Sequence, residues 1–223
     1  MYPSNSLHRR GLFSASYPLH KIKNCGMIES MAKTESLMRL QKGDAAPAFE
    51  LPDINGRVVS LHLLGGKEGI FVLFMCNHCP YVKVRIGEVV ALHKEFGDRI
   101  AFVGINSSDT AYPGEGHENM KAFAKERGIA FPYLIDEDGT VAHAYGASCT
   151  PDPFLFDRDG RLVFHGRITD ALEPQEEVKE HTMRENMRKL LAGGPMGLAS
   201  APVDGQIEPW FNPSLGCSIK FKR

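Results

Sequence analysis

Excess charge of one sign, long apolar runs and paired cysteines are all scarce in this sequence. The 26 basic and 27 acidic residues leave a net charge of −1. Such a balance gives no electrostatic reason to expect nucleic acid or an anionic membrane as partner. No apolar run approaches the roughly 18 residues that a membrane span needs. The longest, Ile70 to Cys76, is strand-sized. The five cysteines are odd in number and scattered except for one pair, whereas a secreted disulfide scaffold is denser and usually even-numbered. A reducing compartment is expected, with cytoplasmic localisation. What is present is apolar material: 43% of the 223 residues are hydrophobic, 13 of them Phe. That suffices for one soluble globular domain, since a domain near this size hides roughly 70% of its unfolded surface.

The basic charge is front-loaded. Residues 1–28 hold Arg9, Arg10, Lys21 and Lys23 and no acid, but they lack the continuous apolar stretch of a secretory signal. Two readings remain: an unstructured extension upstream of a start at Met27 or Met31, or an organelle-directing segment. Residues 1–40, including Cys25, are expected to be a disordered leader. Residues 41–192 are expected to be the folded domain. Residues 193–223, carrying Pro195, Pro202, Pro209 and Pro213, are expected to be an extended tail.

Inside the domain the pattern alternates. Asn55-Gly56 marks a hairpin, with Phe49 to Leu51 before it and Val58 to Leu61 after it. Ile70–Met75 and Ile100–Ile105 are continuous apolar runs, as in strands covered on both faces. Between them Val82, Ile86, Val89, Val90, His93 and Phe96 recur at helical spacing. A second helix carries Met120, Phe123 and Ala124, and Tyr133–Ile135 is strand-like. Phe154–Phe156 and Leu162–Phe164 flank the turn Asp157-Arg158-Asp159-Gly160, and a last helix is expected from about Gln175 to Leu191. Strands alternating with helices, followed by a hairpin, predict an α/β fold with a mixed central sheet flanked by helices.

The chemistry concentrates at Cys76-Asn77-His78-Cys79-Pro80, between a buried strand and an amphipathic helix. Two thiols at this spacing beside a helix start are within disulfide reach. Unpaired amides and the helix dipole there favour thiolate, the nucleophile of disulfide exchange. The expectation is an exposed Cys76 thiolate, further stabilised by protonated His78. Zinc would need a second ligand pair, and covalent haem needs His after the second Cys, where Pro80 stands. Two structural thiols placed by coincidence are the bland alternative. His93, on the helix's apolar face, is read as packed rather than functional.

Residues 43–192 resemble the thioredoxin-like redoxin family, in the branch related to alkyl hydroperoxide reductase and thiol-specific antioxidant proteins. The resemblance is carried by Gly43-Asp44-Ala45-Ala46-Pro47-Ala48-Phe49-Glu50-Leu51, Phe74-Met75-Cys76-Asn77-His78-Cys79-Pro80-Tyr81, Ala111-Tyr112-Pro113, Tyr145-Gly146-Ala147-Ser148-Cys149-Thr150-Pro151-Asp152 and Gly216-Cys217-Ser218-Ile219-Lys220. It implies a thioredoxin fold, Cys76 as the attacking thiol and Cys79 as the resolving one. It also implies a cis-proline loop at Thr150-Pro151, facing the dithiol and pairing with a substrate backbone.

Departures from the family pattern shape the activity expected. Met75 stands where thioredoxins commonly carry Trp, and Ile70 where they bury an acid; no residue from 70 to 75 is ionisable. Peroxiredoxins place Thr or Ser three residues before their reactive Cys, where Leu73 precedes Cys76. The expected function is therefore a thiol–disulfide oxidoreductase, with a hydroperoxide-reducing antioxidant and a non-catalytic binding module for protein or copper(I) as alternatives. Cys149 and Cys217 are possible additional thiols, the first also readable as a small buried residue and the second as a passive tail thiol. Arg167 is readable as a charge near the site or as a surface ion pair. No cofactor or bound metal is expected. The partners expected are a protein disulfide, small thiol or hydroperoxide as substrate and a thiol reductant.

Overall fold

The computed structural model describes residues 33–192 and 207–222. In chain order the strands and helices are β1 (Lys33–Glu35), β2 (Glu50–Pro52), β3 (Val58–Ser60), β4 (Gly69–Phe74), α1 (Pro80–Phe96), β5 (Ile100–Asn106), α2 (His117–Arg127), β6 (Tyr133–Ile135), α3 (Thr140–Tyr145), β7 (Cys149–Thr150), β8 (Asp152–Asp157), β9 (Leu162–Gly166), α4 (Thr182–Ala192), β10 (Phe211–Asn212) and β11 (Leu215–Ser218).

Six strands form the main sheet in the order β10-β9-β8-β4-β5-β6. β4 pairs parallel with β5 and antiparallel with β8, so the sheet is mixed, as the sequence predicts. Every residue of β4 and β5 is buried, which explains their unbroken apolar runs: both faces of the central strands are covered. On one face Phe74, Tyr145, Phe154 and Phe156 meet mostly edge to face, with ring centroids 5.3–6.4 Å apart. Fully burying such a side chain contributes about 1.5–3 kcal/mol. The buried face of α1 is Tyr81, Val82, Ile86, Val89, Leu92 and Phe96, a three- and four-residue recurrence. His93 lies half-buried with its ring 5.2 Å from Phe102 and 5.4 Å from Phe131, packed as expected.

One glycine in β5 positions the site directly. A Cβ on Gly104 would stand 2.9 Å from the Met75 sulfur, so its hydrogen leaves room for the side chain that ends the strand before Cys76. The Met75 amide also donates to the Ile105 carbonyl at 2.9 Å, extending the strand pairing by one residue.

Three boundaries differ from the sequence expectation. The leader was expected to reach residue 40, but Lys33–Glu35 form β1 and Ser36 is buried. This tripeptide has no apolar alternation to reveal it; it is a strand because β11 offers it backbone partners, Lys33 opposite Cys217 and Glu35 opposite Leu215. The tail likewise is not simply extended, since residues 211–218 supply β10 and β11, while residues 193–206 lie outside the described residues, as do residues 1–32 with Cys25. The last helix starts at Thr182 rather than near Gln175. The preceding acidic run is held as a loop: Asp170 accepts the Lys179 and Glu180 amides at 2.9 Å, and Glu176 accepts those of Leu172 and Glu173 at 2.8 and 3.0 Å. Short helix α3 had no sequence expectation; Asp136 caps it, accepting the Val141 and Ala142 amides at 3.2 and 2.9 Å.

β1, β11 and β7 form a second sheet with β11 in the middle. It lies at the dithiol, through β7.

Candidate active site

β4 delivers the chain to Cys76, a bend follows at Asn77 and His78, and α1 opens at Pro80 with Cys79 as its N-cap. Proline is tolerated there because first-turn amides have no intrahelical partner. The helix mouth therefore belongs to Cys79, not to Cys76 as the sequence expectation had it.

A buried carboxylate organises the bend. Glu115 Oε1 accepts the Asn77 and His78 amides, both at 2.8 Å, and also bonds to His78 Nδ1. Its Oε2 accepts the Asn106 side-chain amide at 2.6 Å. Asn77 is fixed further by donating to the Gly114 carbonyl at 3.3 Å and accepting the Tyr133 hydroxyl at 3.0 Å. Sequence reasoning missed Glu115, because the acid comes from the loop between β5 and α2 and not from residues 70–75. The local signal was an acid between two glycines, Gly114 and Gly116, whose φ angles are +87° and +89°.

The sulfurs face β7. Cys76 Sγ lies 3.1 Å from Thr150 Oγ1 and 3.9 Å from His78 Nε2. Cys79 Sγ lies 3.2 Å from the Thr150 carbonyl. The Thr150–Pro151 peptide bond is cis, as the family resemblance implies. Sequence reasoning thus named Cys76, His78, Cys79, Thr150 and Pro151, and the structure brings them together.

Cys217 joins them, and Cys149 does not. β11 pairs antiparallel with β7, setting Cys217 opposite Thr150. Both the thiol and the amide of Cys217 hydrogen-bond Cys79. Cys149 is a buried thiol beside Ser36, 4.0 Å away, so of its two readings the small buried residue fits. Burial first, and then the charge of Asp152, push its pKa up. Arg167 ion-pairs with Glu180 at 3.6 Å, the bland reading.

The expectation of an exposed Cys76 thiolate is overturned. Cys76 is 1% exposed. Burial foremost, then the neighbouring Cys79 and the charge of Glu115, hold its pKa well above the ordinary 9.0, against the Thr150 hydroxyl. Protonated His78 does not win, because its Nδ1 is turned to Glu115, whose negative charge also faces the sulfur. Cys79 goes the other way. Burial alone would raise its pKa, but hydrogen bonds from the Cys217 and Cys76 thiols and the Val82 and Cys217 amides together bring it well below 9.0. Only the Thr150 carbonyl favours keeping its proton. The cluster therefore holds one negative charge, centred on Cys79 at the helix mouth, where amide dipoles favour it.

Cys76, His78 and Glu115 place potential ligand atoms within 4.8 Å of one another. Four donors already engage the Glu115 carboxylate, so the trio is a hydrogen-bonded chain rather than an open coordination site.

Residues 42–165 match the AhpC/TSA family. A thiol–disulfide oxidoreductase, ResA, from Geobacillus thermodenitrificans is 30% identical over 142 residues, 62% of this chain and 75% of that protein. The crystal structure of an uncharacterized conserved protein from Geobacillus kaustophilus superposes with a TM-score of 0.76 at 39% identity, covering 86% of this chain and 97% of that one. A hypothetical protein from Sinorhizobium meliloti superposes with a TM-score of 0.72 at 35% identity, covering 85% and 98%.

Proposed function

The chain belongs to the AhpC/TSA family, with a thioredoxin fold, and on that premise we propose that its thiol–disulfide oxidoreductase chemistry runs through Cys76 and Cys79. The observation that carries this reading is the thiol–thiol hydrogen bond between them, at the junction of a buried strand and a helix N-terminus and against Thr150. In the reduced protein the Cys79 thiolate is the base beside the Cys76 S–H. As Cys76 attacks a client disulfide, its proton passes to Cys79, where the Thr150 carbonyl accepts the new S–H. One client sulfur leaves as thiolate and a Cys76–client mixed disulfide forms. Cys79 then attacks the Cys76 sulfur and gives its proton to the departing client thiol. The Cys76–Cys79 disulfide that remains is returned to the dithiol by a thiol reductant. The client must first move aside the groups that cover Cys76, His78 and Thr150 among them.

Reduction of insulin disulfides tests the reading. Cys76→Ser is expected to lose at least about 100-fold in rate, because it removes the activated nucleophile. Cys79→Ser is expected to accumulate a mixed disulfide with the client, visible on a non-reducing gel. Full activity in both variants would overturn the assignment.

One observation favours a second reading. Leu73 lacks a hydroxyl, but Thr150 Oγ1 places one 3.1 Å from Cys76, so a hydroperoxide is a candidate substrate. Attack on its oxygen would release an alcohol and leave a Cys76 sulfenic acid, which Cys79 condenses to the disulfide with loss of water.

A further inference from the structure

We propose that Cys217 is a third redox-active thiol of this site, taking over the disulfide from the Cys76–Cys79 pair by exchange at Cys79. The inference rests on the reading of Cys76 and Cys79 as the redox pair and adds the destination of their disulfide.

The geometry comes from the second sheet. Cys217 is set opposite Thr150 in the β11–β7 pairing, and Thr150 is the residue whose hydroxyl and carbonyl contact Cys76 and Cys79. Its neighbour Gly216 lies so close that an added Cβ would fall 2.0 Å from the Thr150 carbonyl oxygen, so the strand has no room to sit farther off. On the other side β1 pairs with the same strand, and Ser214 anchors its start by donating to the Pro151 carbonyl at 2.9 Å and accepting from Ser36 in a buried contact. Cys217 is buried, and its thiol and amide are both turned to the Cys79 sulfur. A passive tail thiol needs none of this.

The step balances within the chain. Once Cys76–Cys79 is oxidised, Cys217 gives up its proton and its sulfur attacks the Cys79 sulfur. The Cys79–Cys217 bond forms as the Cys76–Cys79 bond breaks, and Cys76 departs as thiolate and takes the proton. Cys217 is oxidised and Cys76 reduced, with no outside reagent. The product returns the attacking thiol while tying β11 to the start of α1.

Peptide mapping after equilibration in glutathione redox buffers tests this on the unmodified chain. As the buffer becomes more oxidising, the wild type is expected to yield a Cys79–Cys217 peptide beside the Cys76–Cys79 one. Cys76→Ser, or Cys76→Ala should the first not fold, is expected to form Cys79–Cys217 as an intramolecular bond; adding Cys217→Ser abolishes it. If wild type and Cys76→Ser yield no Cys79–Cys217 peptide while wild type forms Cys76–Cys79, the proposal is overturned and the pair stands. If Cys217→Ser forms no Cys76–Cys79 disulfide although Cys79–Cys217 appears in the wild type, the assignment of the pair fails instead.

Discussion

At the scale of single residues, the site depends on where one proton sits. Cys76 and Cys79 have the same chemistry and lie three positions apart, yet their surroundings drive them in opposite directions from 9.0. Their effects on folding are opposite too. Thiolate Cys79 is favoured in the fold relative to the unfolded chain, so its contribution to stability is full above pH 9.0 and is lost as the pH falls through the lowered folded value. Protonated Cys76 contributes below pH 9.0, and that contribution is lost as the pH rises through the raised folded value. Ultraviolet thiolate absorbance is therefore expected to show a first thiolate forming below the ordinary thiol range, persisting in Cys76→Ser and disappearing in Cys79→Ser. The sequence placed both sulfurs at a helix start but assigned the charge to the wrong one. Spacing shows neighbours along the chain; it does not show that Glu115 and Cys217, from remote loops, would press negative charge on one sulfur and donors on the other.

At the scale of elements, legibility follows how each element is stabilised. β4, β5 and α1 carry their burial in their own side chains, so apolar runs and helical periodicity revealed them. β1, β7 and β11 are two to four residues long and are strands chiefly because partners distant in sequence offer backbone bonds. No local pattern encodes that. The closeness of β11 to β7 makes a specific demand: Gly216→Ala is expected to force the strands apart at Thr150, with a cost of about 1–3 kcal/mol typical of overpacking. The loss would appear in urea denaturation. Alkylation of Cys76 and Cys79 in the still-folded protein is expected to speed up.

For the whole molecule, one buried polar node ties the two sheets together. Asp152, on β8 of the main sheet, accepts from His165 Nε2 at 2.8 Å and from Ser36 Oγ at 2.8 Å, and the Ser214 hydroxyl stands 3.5 Å away. It is fully buried, so its removal strands His165 and both serines without their acceptor. Asp152→Ala is expected to cost about 3–5 kcal/mol, the range for breaking a buried charged pair from one side, measured by chemical denaturation. The layered fold around this node was readable from the alternation of strands and helices. The node itself was not, because its members come from residues 36, 152, 165 and 214, and only folding brings them together.

The middle place of β11 between β1 and β7 gives the site an unusual door. Lifting residues 215–218 away from Thr150 strips the partners from residues 33–35 in the same movement. Two stretches almost the whole chain apart must yield together before a large client can reach the sulfurs. Small reagents that slip past a closed strand and bulky ones that need it gone would then experience one enzyme as two.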